Sequence, residues 1–248
     1  MSSRCFVLLI LAACGGRPHG TAASEAPIDV PCAWPTPGTV VFSEGEASLV
    51  RHDVTDTGAL FTAAQPDDPD YADFRARVRR DGAELREPVA DRAPPADDAE
   101  RELWRREDHN SALVMSGKAG SLRSVQCLEA LAFVPERETI VLVLRKDAAT
   151  RLYVGTSDQM FPPKTVYGTT QAADDVAGGW RFDVVLHNHT VRTRGAGIAL
   201  GMPTLSTSDV SLFRNLVTDL GLRAAWVTNG VYTAEVPAAD FPLFLGRD

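Results

Sequence analysis

The stretch Ala225-Trp-Val-Thr, Asn229-Gly230, Val231-Tyr-Thr-Ala-Glu-Val constrains the fold most. Two β-prone runs flank an Asn-Gly pair. Asn and Gly accept the positive φ angles that a tight hairpin turn needs, so the stretch predicts an antiparallel hairpin. Two strands alone do not make a stable sheet, and partners must come from upstream. Glu138-Thr-Ile-Val-Leu-Val-Leu reads as a buried strand. A second follows the turn-like Lys146-Asp147-Ala-Ala as Arg151-Leu-Tyr-Val, and residues 180–189 read as a third. Between that strand and the hairpin, a helix begins at Ser206, carries Val210, Phe213, Leu216, Val217 and Leu220 on one face, and stops at Gly221. Strands and helices in this order predict an α+β domain over residues 99–248, a mixed β-sheet flanked by helices in α/β/α layers. With 44% hydrophobic residues, the chain can bury a core of that size.

Upstream of this domain the patterns are weaker. Residues 39–62 read as irregular β structure around Val40-Val41-Phe42 and Leu49-Val50, broken by Gly45 and Gly58. Tyr71, Phe74 and Val78 recur at helical spacing over 69–80, the mark of a surface helix, and the proline-bearing stretch 88–98 reads as a linker. A polar helix over 98–106 and a more apolar one over 122–133 lead into the first buried strand. Residues 32–98 form an N-terminal extension in which no residue pattern announces chemistry.

The chain opens with Arg4 and the apolar run Phe6-Val-Leu-Leu-Ile-Leu-Ala-Ala13, too short to span a bilayer and suited to an export signal. Leu11-Ala-Ala-Cys14-Gly15 resembles the bacterial lipobox, which implies a signal peptide over 1–13 and a lipid anchor on Cys14. Residues 14–31, rich in Gly, Ala, Ser and Pro, suit a flexible tether. The expected location is the bacterial cell envelope. Gly15 after the cysteine lacks the Asp that retains many lipoproteins in the inner membrane, which favours the outer one. An exported compartment is oxidising, so Cys32 and Cys127 are candidates for a disulfide, with two buried thiols the equal alternative. The net charge of −8 argues against nucleic acid as a partner, since no basic excess is present to replace its counterions.

Two residues stand out chemically. His187 and His189 lie two apart at the end of the third strand, where alternation puts both imidazoles on one face. A catalytic zinc site takes three protein ligands and keeps a fourth position open, so a third ligand must come from another element. Asp209, in the first turn of the following helix, is the best candidate. Each feature has a plainer reading: the histidines as polar loop, and Ser206-x-x-Asp209 as a capping box with an acidic residue at a helix N-terminus. Asp183 precedes His187 by four residues and is read either as a buried structural carboxylate or as a group that orients an imidazole.

Taken together, His187-Asn-His189 followed by Ser206-Thr-Ser-Asp209 opening a helix resembles the signature of the JAMM (MPN-type) zinc metallopeptidases over about residues 120–240. Two departures are Thr190, where that family has proline, and a longer stretch over 191–202 that includes Arg192, Arg194, Gly195 and Gly197. The resemblance implies a layered α+β fold, Zn2+ held by His187, His189 and Asp209, and hydrolysis of a peptide or isopeptide bond. It implies a catalytic glutamate opening a strand, assigned to Glu138 with Glu136 and Glu129 as alternatives, and Ser206 as a hydrogen-bond donor to the reaction's oxyanion. The expected partners are a peptide or protein substrate and, through Cys14, a membrane. The competing expectation is a non-catalytic MPN-like domain that binds a protein.

Overall fold

The structure is a computed structural model that describes residues 38–54, 94–123, 138–157, 164–189, 192–194, 197–199 and 204–247. Cys14, Cys32, Cys127, Glu129, Glu136, the expected helix over 69–80 and most of the linker over 88–98 lie outside them. The described residues form ten strands: β1 (Thr39–Glu44), β2 (Ala47–Val54), β3 (Ser121–Arg123), β4 (Glu138–Lys146), β5 (Ala149–Ser157), β6 (Arg181–Asn188), the short pair β7 (Arg192–Arg194) and β8 (Gly197–Ala199), β9 (Ala224–Thr228) and β10 (Thr233–Pro237). Among the described residues three α-helices accompany them: α1 (Asp98–Met115), α2 (Thr169–Ala177) and α3 (Thr207–Leu220).

Eight strands form one sheet in the order β1-β2-β5-β4-β6-β9-β10-β3. Every neighbouring pair is antiparallel except β6 and β9, which run parallel, so the sheet is mixed and the domain α+β as expected. A parallel pair needs a crossover, and α3 lies within it. The buried residues Val114, Ala172, Val210, Phe213 and Leu216 of the three helices join one hydrophobic cluster with Ile140, Leu142 and Leu144. These are alternate residues of β4, hence of one sheet face. Val141 and Val143, pointing the other way, are also buried. Among the described residues, helices cover one face of the sheet.

The centre of the sheet follows the sequence pattern closely. β4 and β5 are a hairpin across Asp147, which takes φ 52 in the turn. The β9–β10 hairpin forms, but with a longer connection than the two-residue turn expected. Thr228 pairs with Thr233, leaving four residues between them. The Asn229 N–H donates to the Tyr232 carbonyl at 3.1 Å. The Asn229 side-chain oxygen accepts from the N–H groups of Val231 (3.1 Å) and Tyr232 (3.0 Å). Side-chain capping of the loop thus replaces the tight turn, and Gly230 supplies the positive φ of 88°.

Three further differences come from forces outside the local pattern. α1 runs well past residue 106. No breaker intervenes before Ser116-Gly117, and Glu102 pairs with Arg105 and Arg106 one turn on. Leu122, expected to begin a helix, sits in β3 opposite Ala234, because β10 would otherwise leave its backbone groups unpaired at the sheet edge. α2 was not expected at all. Its N-cap is Gly168 with no side-chain cap bond, so the usual start signal is missing.

Candidate metal centre

The topology brings the end of β6 and the start of α3 to one edge of the sheet. His187 pairs with Ile140 on β4 and with Val227 on β9, and His189 follows directly after the strand with its N–H donating to the Thr228 carbonyl at 2.8 Å. Cross-strand partners share a face, so His187 projects on the side of Ile140, the side covered by α3. β4 runs antiparallel to β6, so the beginning of β4 lies beside the end of β6. Glu138, two residues before Ile140, therefore comes to the same edge on the same face.

α3 presents Asp209 from its first turn through a complete capping box. Ser206 Oγ accepts from the Asp209 N–H at 3.1 Å, and Asp209 Oδ2 accepts from the Ser206 N–H at 2.8 Å. The capping and metal-ligand readings of Asp209 are compatible, because a carboxylate has two oxygens with lone pairs to spare. His189 Nε2 lies 3.1 Å from Oδ2 and His187 Nε2 lies 3.9 Å from Oδ1. One potential ligand atom from each of His187, His189 and Asp209 lies within 4.8 Å of the others. No other group of three or more His, Cys, Asp or Glu side chains converges in this way among the described residues.

The donor set fits zinc. His187 Nδ1 stands 3.3 Å from the Thr139 carbonyl oxygen, which accepts but cannot donate. The proton therefore belongs on Nδ1 and the Nε2 lone pair faces Asp209, the tautomer a metal requires. Burial pulls the His187 pKa down, against the pull of Asp209, so the ring stays neutral. For Asp209 the largest influence, burial, would raise the pKa. The hydrogen bond from His189, the two neighbouring imidazoles and the Ser206 contact outweigh it and hold the carboxyl far below the ordinary range. Neutral imidazole and ionised carboxylate are the ligand forms zinc binds. The side chains are 9% (His187), 19% (His189) and 13% (Asp209) exposed, dry enough to strengthen electrostatics yet open to a substrate.

The depressed Asp209 pKa has a consequence for acid stability. A carboxylate whose folded pKa lies below its unfolded value of about 4 stabilises the fold fully above that pH and loses the contribution as the pH falls toward the folded value. In the metal-free protein, the stability of the parent is expected to fall more steeply below about pH 4 than that of Asp209→Asn, as read by urea midpoints across pH. Parallel profiles would show that the carboxylate is not held ionised.

The site opens into a cavity of about 750 Å3, a volume suited to a short peptide segment. Its lining includes Glu138, Ser206 and Ser208 beside the three ligand candidates. Ser206 Oγ accepts from the Asp209 N–H and lies 3.0 Å from Ser208 Oγ. If Ser208 donates in that pair, the Ser206 proton is left for a substrate oxygen. Tyr167 also lines the cavity. Burial, together with the negative charges of Glu138 and Asp209, raises its pKa, so it stays a phenol. Tyr167, Lys164 and Arg247 were not singled out from the sequence: the first two lie in a 3-10 turn (Lys164–Tyr167) without an apolar period, and Arg247 lies next to the last residue.

Asp183 takes no part in the site. The β4–β6 register slips there, pairing Val143 with Val184 and Leu144 with Phe182, so simple alternation does not carry through to residue 183. Its carboxylate is 2% exposed and ion-paired with Arg181 (2.5 Å), Arg145 (3.2 Å) and Arg223 (3.4 Å). Four residues of strand separate it from His187, roughly 13 Å. The structural reading of Asp183 holds.

Compared with family models, with curated proteins and with solved structures, the chain matches none. The case for a functional site therefore rests on its geometry.

Proposed function

We propose that the protein is a zinc-dependent hydrolase that cleaves a peptide or isopeptide bond, of the JAMM type that the His-x-His and Ser-x-x-Asp pattern resembles. The observation that carries this reading is the convergence of His187, His189 and Asp209 within 4.8 Å on the wall of a cavity that Glu138 also lines. When bound, zinc would supply a Lewis acid that polarises a carbonyl and makes water nucleophilic near neutral pH.

The remaining work falls to side chains of the chain. His187 is oriented by the Thr139 carbonyl, and Asp209 is held by Ser206 and the helix N-terminus, so two of the three ligands are pre-positioned. Glu138 accepts the proton of the attacking water and returns it to the departing amine. Ser206 donates a hydrogen bond to the oxygen that becomes negative as the carbonyl is attacked. The lipobox-like Leu11-Ala-Ala-Cys14 supports an anchor at Cys14 and action in the cell envelope, on the outer membrane by the Gly15 criterion.

The test is hydrolysis of a mixed peptide set by the purified protein, with zinc removed by a chelator and then restored. The proposal expects cleavage that stops on chelation and returns with zinc. Cleavage indifferent to chelation would contradict it.

A further inference from the structure

Two cations on the cavity wall have no task in the hydrolytic machinery. Lys164 opens the turn after β5, and Arg247 stands near the C-terminus beside the first turn of α3. Neither side chain has an ion-pair partner among the described residues.

The backbone at Arg247 is fixed in place by the fold. The buried side chain of Asn110 donates to the Leu245 carbonyl at 2.9 Å and accepts from the Leu245 N–H at 2.7 Å. Arg106 Nη1 donates to the Gly246 carbonyl at 2.8 Å. A Cβ on Gly246 would approach Ser211 Oγ to 2.6 Å, so a larger residue there would have to displace the Ser211 hydroxyl from the strap. The Arg247 N–H then donates to the Thr207 carbonyl (3.1 Å) and to Ser211 Oγ (2.8 Å). Three consecutive residues, Leu245, Gly246 and Arg247, are thus strapped over the helix end that presents Asp209, and the last of them lines the cavity.

The charge balance says what that guanidinium can receive. A dication would offset Asp209 and Glu138, leaving Lys164 and Arg247 against Glu107 on the remaining wall. The metal-loaded cavity is then locally positive in a chain whose net charge is −8. Arginine pairs with carboxylates through two parallel hydrogen bonds, and lysine adds a point charge.

We propose that the substrate carries a free carboxylate within about one residue of the scissile amide, as a peptide C-terminus or an acidic side chain does, and that Lys164 and Arg247 bind it. The inference rests on the zinc-hydrolase reading above.

Its test measures binding of 3-mercaptopropanoic acid and of the corresponding amide to the zinc-loaded full chain in detergent, by calorimetry. Both bring the same thiol to the metal, and only the acid brings a carboxylate. The acid is expected to bind about tenfold tighter or more. In the Lys164→Gln/Arg247→Gln double variant that preference should fall to near unity while the affinity of the amide is unchanged. Equal affinities in the parent, or a preference that survives in the double variant, would overturn the carboxylate site and leave the zinc reading intact, since the thiol still binds. Failure of both thiols to bind would bring down the zinc reading and this inference with it.

Discussion

Glu138→Gln is expected to keep the metal and to lose hydrolysis by about 10²–10⁴-fold, the range a positioned general base contributes. The substitution preserves shape and removes only the capacity to take a proton. Glu138 lines the cavity but does not belong to the converging group of His187, His189 and Asp209, so zinc content should match that of the parent. Metal analysis and steady-state rates on the same preparation check both halves. A variant with full metal and nearly full activity would remove Glu138 from the mechanism and turn attention to Glu129 and Glu136, the alternatives outside the described residues. A variant that loses metal would make Glu138 part of the metal-binding shell.

Asp183→Ala is expected to behave in the opposite way, costing stability and sparing the metal. The buried carboxylate balances Arg181, Arg145 and Arg223, and its removal leaves three guanidinium groups facing one another. Breaking a buried ion pair from one side costs about 3–5 kcal/mol. The arginines are 60%, 26% and 25% exposed, so water relieves part of their repulsion and the expected loss is nearer about 2–3 kcal/mol. The urea midpoint should drop with an unchanged slope, while zinc content stays at the level of the parent. Loss of zinc without loss of stability would instead make Asp183 a positioning residue for the histidines.

The contrast between these two carboxylates shows where the sequence could be read and where it could not. Glu138 heads a strand whose apolar run is unambiguous, and antiparallel pairing with β6 follows from ordinary sheet construction. His187, His189 and Asp209 were legible because each occupies a position with a rule attached: a strand end with a period of two, and a helix start with a capping signature. Asp183 was harder, since a register slip in β6 defeats residue counting and only the paired structure reveals it. The four-residue loop over 229–232 shows a related limit. Asn-Gly predicts a tight turn, yet the Asn229 side chain satisfies a wider one.

Other parts of the cavity depend on contacts between distant segments. Arg247 reaches the site through Asn110 and Arg106 on α1, whose buried Asn110 looks like an ordinary polar helix residue until Leu245 is seen against it. Tyr167 and Lys164 lie in a short 3-10 turn, which carries too few residues to impose a period. Leu122 pairs as a strand because β10 needs a neighbour, a demand set by the sheet rather than by the local sequence.

Whether His187, His189 and Asp209 hold a metal is decided by the zinc content of the purified full chain beside its His187→Ala and Asp209→Ala variants. About one zinc per chain is expected in the parent and a large loss in each variant, because a three-ligand site deprived of one ligand no longer binds tightly. A folded parent that takes up no zinc, or variants that hold as much as the parent, would contradict the metal centre and leave a non-catalytic binding domain as the better description.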